Sequence, residues 1–226
     1  MPSTTTQNLS VTQIKFPEIQ LHTRDAHKLR GYFGNVFKDN SPLLHNHYDS
    51  GQLRYRYPLV QYKILNNTPT LVAIDEGAEL LTQLFLKIQE IDIDGKKYPI
   101  QNKHITSKNY PIGIGESLFT YTFETLWMAL NQENYKKYTE AEDSEKRKIL
   151  NRILVGNILS FFKSTGLMLE PDERILATTE VEPKKTKFKD QSMVAFTGRF
   201  TTNAQLPDFI GIGKSVSRGF GTILQV

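Results

Sequence analysis

The stretch Gly211-Ile212-Gly213-Lys214-Ser215-Val216-Ser217-Arg218-Gly219-Phe220-Gly221 stands near the end of the 226-residue sequence. It holds two Gly-apolar-Gly triplets separated by five residues, among them Lys214 and Arg218. Glycine lets a backbone approach another group closely and present its N–H groups to a ligand. Lys214, Ser215, Ser217 and Arg218 add cationic and hydroxyl donors that suit phosphates or base edges. Two nucleotide-binding patterns fail here. Gly213-Lys214-Ser215 matches the last three positions of a P-loop, but Asp208 occupies the place of its opening glycine and only eleven residues follow Ser215. Val216 stands where a dinucleotide fingerprint needs its third glycine. The plain structural alternative is a glycine-rich hairpin that closes a sheet.

Working back from this stretch, the apolar spacing yields a two-part α+β chain. Residues 11–22 read as a strand through Ile14, Phe16, Ile19 and Leu21, although Pro17 disturbs its period. Residues 24–38 read as a helix with Leu29, Phe33, Val36 and Phe37 on one face and two glycines, Gly31 and Gly34, that allow close approach. Strands are expected over 58–65 and 70–74, joined through Asn66, Asn67 and Pro69, and an apolar helix over 77–91. Strand, helix, strand, strand, helix is the order of a ferredoxin-like unit, with its closing strand near 97–104. The second part begins again with a strand over 117–130, which contains the only tryptophan, Trp127. A helical region over 131–167 follows, with Ile149, Ile153, Leu154, Asn157, Ile158, Phe161 and Phe162 as its core side, then β segments over 177–188 and 193–201. A boundary near residue 105 gives an N-terminal domain, 1–105, and a C-terminal domain, 106–226, the second a distorted copy of the first. Gly113-Ile114-Gly115 echoes half of the C-terminal pattern and reads as a turn.

Composition narrows the function. The chain has no cysteine, which excludes disulfides, thiolate metal sites and thiol nucleophiles. No apolar run reaches the ~18 residues of a membrane span and the first residues are polar, so the expected setting is the cytoplasm. The net charge is +4, and two blocks concentrate it: residues 24–63 and 181–226 each hold seven Lys/Arg against three acids. Brought together, they would make a positive surface for a phosphate backbone; apart, they are two solvated basic loops. Lys184, Lys185, Lys187 and Lys189 form a further basic tract, which reads equally as a backbone track or a solvated hairpin.

Paired glycine triplets around a basic five-residue spacer resemble the signature of the repeat-associated RNA-binding (RAMP) superfamily, in particular the CRISPR precursor-RNA endoribonucleases. The wording Leu43-Leu44-His45-Asn46-His47-Tyr48, followed by Arg54-Tyr55-Arg56-Tyr57-Pro58-Leu59-Val60-Gln61-Tyr62-Lys63, is similar to a subgroup with a histidine pair after the first helix. The resemblance implies tandem ferredoxin-like domains, a metal-independent reaction without cofactors, and precursor CRISPR RNA as the partner. It also allows CRISPR effector-complex proteins or a second copy of the chain as partners. Its alternative is a non-catalytic RNA-binding subunit of an effector complex.

Histidine suits such a reaction. Attack by the RNA's own 2′-hydroxyl needs only proton transfers and stabilisation of charge on the phosphate, and an imidazole with a pKa of about 6.5 can accept or donate the proton. His45 and His47 project to the same side of an extended segment and are the candidate pair. Arg54 or Arg56 would neutralise the transition state, and Tyr55 or Tyr48 would position the hydroxyl or stack on a base. Lys28 and Lys38 are further candidates for a third catalytic group. Gly211, Gly213, Gly219 and Gly221, with Lys214, Ser215, Ser217 and Arg218, would hold RNA, joined by Arg56, Lys185 and Lys187. Three other readings of the pair exist. His45-Asn46-His47-Tyr48-Asp49 is a His-x-His-x-Asp run of metallo-β-lactamase type, but Ser50 stands where the next histidine belongs and His104 alone follows. The letters His-Asn-His match the nuclease of that name by accident, and the pair could be ordinary surface histidines.

Overall fold

The computed structural model describes residues 5–37, 57–188 and 191–226. The chain forms two compact units. The first comprises Asn8–Tyr110 and the short insert Val216–Gly219; the second comprises Pro111–Ser215 and Phe220–Val226 with residues 5–7.

The first unit runs β1 (Thr6–Lys15), α1 (Ala26–Val36), β2 (Val60–Leu65), β3 (Thr68–Ile74) and α2 (Glu76–Leu84). A hairpin of β4 (Glu90–Ile93) and β5 (Lys96–Pro99) follows, and then the long strand β6 (His104–Phe123), which passes into the second unit. The main sheet is antiparallel where β1 meets β3 and β3 meets β2, in the order β2-β3-β1-β6. Register explains which side chains reach the core. Val60 lies opposite Ala73, Tyr62 opposite Leu71 and Ile14 opposite Leu71, so these alternate positions share one face. That face packs on Leu29 and Phe33 of α1 and on Leu80, Leu81 and Leu84 of α2. Phe33 is the hub, with Tyr62 at 5.9 Å and Phe16 and Phe37 each at 6.2 Å between ring centroids. Truncating such a buried ring costs about 3–5 kcal/mol. Gly77, in the first turn of α2, lets the helix lie close to Leu59, since a Cβ there would stand 2.6 Å from the Leu59 carbonyl oxygen.

Several boundaries differ from the sequence reading. β1 begins at Thr6 and stops at Lys15, before Pro17, which has no N–H for a ladder. Val36, expected on the apolar face of α1, is 47% exposed. The helix expected over 77–91 ends at Leu84, continues as one 3-10 turn to Lys87, and gives way to β4. Asp94 and Gly95 explain this: both have positive φ, 55° and 82°, the geometry of a two-residue hairpin turn, so Glu90–Ile93 folds back on Lys96–Pro99. The strand that joins the main sheet therefore begins at His104.

The second unit contains the rest of β6, α3 (Gln132–Glu140), α4 (Asp143–Ser164), β7 (Ala177–Phe188), β8 (Gln191–Gln205) and β9 (Ile223–Gln225). β8 pairs with β6 on one side and β7 on the other, and β9 pairs with Tyr121–Phe123. Gly113-Ile114-Gly115, read as a turn, lies inside β6, where the pairing with β8 shifts register between Ile114 and Phe119. β6 stops at Phe123, seven residues before the expected end at Leu130. Trp127 instead makes a single bridge to Phe196, and its indole N–H donates to Asn157 Oδ1 of α4 at 3.2 Å. Leu154, Ile158, Phe161 and Phe162 bury the inner face of α4, as their helical spacing predicts. Asn151 ties the same helix to β7, its Oδ1 accepting from both the N–H and the hydroxyl of Thr179 at 2.8 Å. The Asn131 side chain caps α3 by accepting from the Asn134 N–H at 2.7 Å.

Candidate nucleic-acid interface

Packing accounts for most of the glycines in the 211–221 stretch. A Cβ on Gly213 would lie 2.7 Å from the Trp127 ring, and one on Gly221 only 2.0 Å from the Ile212 carbonyl oxygen. Both residues also have positive φ, 104° and 64°. Their neighbours' amides are engaged within the second unit: Ile212 N–H donates to Gly221 O, Gly221 N–H to Leu126 O and Lys214 N–H to Met128 O. Gly211 bridges Thr222. Of the glycines' own amides, those of Gly219 and Gly221 are thus spent on Val216 O and Leu126 O within the protein. What this stretch offers a partner is side chains: Lys214 is exposed, and Ser215, Ser217 and Arg218 are half-buried.

Val216–Arg218 forms a 3-10 turn that belongs to the first unit and packs on α1 and β2. Gly219 sets the distance, for a Cβ there would lie 3.0 Å from the Tyr62 carbonyl oxygen and 3.4 Å from Ala26 Cβ. Arg30 stands one helical turn beyond Ala26, on the same side of α1. Burial and then the positive charge of Arg218 hold the Arg30 guanidinium below the usual arginine pKa. Two arginines thus act on one patch of the first unit. Behind them on β2, burial pulls the Lys63 ammonium down to about 7 and pushes the Tyr62 phenol up. Tyr62 faces the α1 core, and Lys63, the next residue along the strand, takes the opposite face of the sheet.

The remaining candidates fall into three groups. His45, His47, Tyr48, Arg54, Tyr55, Arg56 and Lys38 lie outside the described residues. Lys28 is held by two carboxylates, Asp25 at 2.9 Å and Asp94 at 2.6 Å, which together raise its pKa and keep it a cation. In the basic tract, Lys184 and Lys185 are exposed on β7 and, as consecutive strand residues, point to opposite faces. Lys184 lies 3.6 Å from Glu182, while the Lys187 side chain and Lys189 fall outside the described residues. Among the other histidines, His27 Nδ1 shares a 2.7 Å hydrogen bond with Arg24 O, and His22 and His104 are exposed. Among the described residues there is no group of three or more His, Asp or Glu that could hold a metal ion. No helix among them is long and apolar enough to cross a membrane.

Arg30 and Lys63 were not singled out by sequence reasoning. Arg30 had one signal, its four-residue spacing from Ala26. Lys63 had another, its place among the apolar residues Tyr62, Ile64 and Leu65 of a strand that also holds Gln61.

These features define an α+β protein with a Cas6-like fold. The model of the Cas6b N-terminal domain matches residues 7–111 and that of the Cas6b C-terminal domain matches residues 113–226. The chain belongs to the Cas6b family. A solved structure described as Cas6b is 35% identical, covers 97% of this chain and all of its own, and superposes with a TM-score of 0.91. A second, described as the CRISPR RNA processing endoribonuclease Cas6b, is 32% identical with a TM-score of 0.79 over the same shares. An uncharacterized protein of Methanocaldococcus jannaschii is 35% identical over 145 residues, which is 64% of this chain and 97% of that protein.

Proposed function

We propose that this protein is a metal-independent endoribonuclease that cleaves CRISPR precursor RNA within its repeats. The observation that carries the reading is the full-length match to a Cas6b described as a CRISPR RNA processing endoribonuclease. In the proposed reaction the 2′-hydroxyl attacks the adjacent phosphorus, one imidazole of the His45–His47 pair takes its proton, and the other protonates the leaving 5′-oxygen. A 2′,3′-cyclic phosphate and a 5′-hydroxyl result. Arg54 stabilises the charge that develops on the phosphate, and Tyr55 orients the attacking hydroxyl. No cofactor takes part.

Arg218, Lys214, Ser215 and Ser217 hold the RNA backbone, with Arg30 beside Arg218; Arg56, Lys185 and Lys187 extend the contact. The glycines 211, 213, 219 and 221 set the path of the loop that presents these groups. Each half contributes as a ferredoxin-like RNA-binding domain divided near residue 105, the second one distorted. The strand order β2-β3-β1-β6 beneath two helices supports this for the first half.

The test is cleavage of a labelled repeat RNA in EDTA, with an intact substrate and one carrying a 2′-deoxy nucleotide at the scissile position. Cutting of the intact RNA alone, with a cyclic phosphate end, is the expected result. Loss of all cutting in EDTA, restored by zinc, would return the His-x-His-x-Asp metal reading. Tight binding without any cutting would instead make the chain a non-catalytic subunit.

A further inference from the structure

A groove of about 680 Å³ runs along the outer side of α1, within the first unit. Its volume falls in the roughly 300–1,000 Å³ range of small-ligand sites. Lys28, Gly31, Tyr32 and Asn35 form one wall, and their i, i+3, i+4, i+7 spacing makes them a single helical stripe. The β4 hairpin forms the other wall through Glu90, Asp92 and Asp94. Two links fix the distance between the walls: the Tyr32 hydroxyl donates to Glu90 O at 2.9 Å, and Lys28 pairs with Asp94.

Three features point to an occupant. Gly31 sits mid-helix on the exposed side of α1, where glycine costs about 1 kcal/mol relative to alanine, yet outside the helix's own backbone no heavy atom lies within 4 Å of where its Cβ would be. No packing contact calls for glycine there, and its absent side chain leaves a flat floor beside the Tyr32 ring. The walls also hold unspent polar groups. The Asn35 amide and the exposed Lys87 ammonium make no hydrogen bond or ion pair among the described residues. Asp92 accepts from the Gly95 N–H through one oxygen, and its other oxygen remains an acceptor. Finally, the sign of the charge is mixed. Lys28 pairs with Asp94 and Lys97 with Glu90 at 3.0 Å, which leaves Asp92 as the wall carboxylate without an ion pair among the described residues, while Lys87 at the rim attracts a phosphate.

We propose that this groove receives one unstacked nucleotide of the RNA, its base lying on the Gly31–Tyr32 face of α1 and its phosphate on Lys87. The proposal rests on the endoribonuclease reading above. Carboxylates accept from exocyclic amines, so Asp92 favours cytosine, adenine or guanine over uracil. None of the residues named here belongs to the glycine-rich loop.

The experiment measures fluorescence anisotropy of the labelled repeat RNA, and of a set in which each nucleotide in turn is abasic, with wild type and Gly31→Leu at fixed salt. One abasic position weakens wild-type binding about tenfold. Gly31→Leu, which fills the floor, weakens intact RNA by a similar factor and no longer responds to that position. Asp92→Asn reduces the preference for an amino-bearing base over uracil there. Thermal melts show that both variants are folded. If Gly31→Leu binds intact RNA as tightly as wild type, or responds to every abasic position as wild type does, the groove is not a nucleotide site. In that case wild type still cuts repeat RNA and the endoribonuclease reading stands. If wild type neither binds nor cuts repeat RNA, that reading fails and the groove proposal fails with it.

Discussion

The glycines of the C-terminal stretch and the glycine in the middle of α1 serve opposite ends. Gly213, Gly219 and Gly221 are surrounded: the Trp127 ring and the Ile212 carbonyl leave no room for a methyl group, and the Tyr62 carbonyl leaves only a tight fit at Gly219. Gly31 has nothing within 4 Å. The stretch that looks most like a ligand loop in the sequence owes its glycines to chain pressed against chain. The α1 glycine, which carries no motif, leaves open space beside it, as Gly156 does in α4. A glycine pattern therefore says that something comes close, and only the structure says whether that something is the protein itself.

The sharpest way to break this comparison is Gly221→Ala. The added methyl would stand 2.0 Å from a backbone carbonyl oxygen at a φ of 64°, so strain and displacement add. The expected cost is about 3 kcal/mol or more, read as a fall in melting temperature of roughly 10 °C. A melting temperature equal to that of wild type would mean that the hairpin is not closed as described. The smaller and opposite effect belongs to Gly31→Ala. Alanine has the higher helix propensity and meets no neighbour, so stability should rise by about 1 kcal/mol, or roughly 2–4 °C. A fall on this substitution would show that the glycine is needed for folding, and the contrast between the two regions would disappear.

Legibility in the sequence followed the same division between local and long-range causes. β7 matches the expected span 177–188, and α4 buries the apolar side its spacing marks, because both are local patterns. The segment 77–91 misled because Leu80, Leu81, Leu84, Ile88 and Ile91 keep a helical spacing across a change of structure. The cause of the change lies at Asp94 and Gly95, just beyond that segment. The error also hid the α1 groove, whose far wall is the hairpin that this turn creates. Trp127 misled for another reason: an aromatic in an apolar run reads as a strand, yet its indole needs Asn157, thirty residues away, to satisfy its N–H. At the candidate interface, the charges of Lys214 and Arg218 were legible as residue types. The burial of Lys63, and the approach of Arg218 to α1 beside Arg30, depend on contacts between distant parts of the chain that no local pattern records.

The central claim is that the histidine pair, without a metal ion, performs the cleavage. Its most direct test is the single-turnover rate on repeat RNA in EDTA for wild type and for the double variant His45→Ala, His47→Ala, with RNA affinity measured alongside. The account predicts that the variant binds RNA as wild type does and loses at least about a hundredfold in rate, as expected when general acid–base groups are removed. An unchanged rate in the double variant would contradict it.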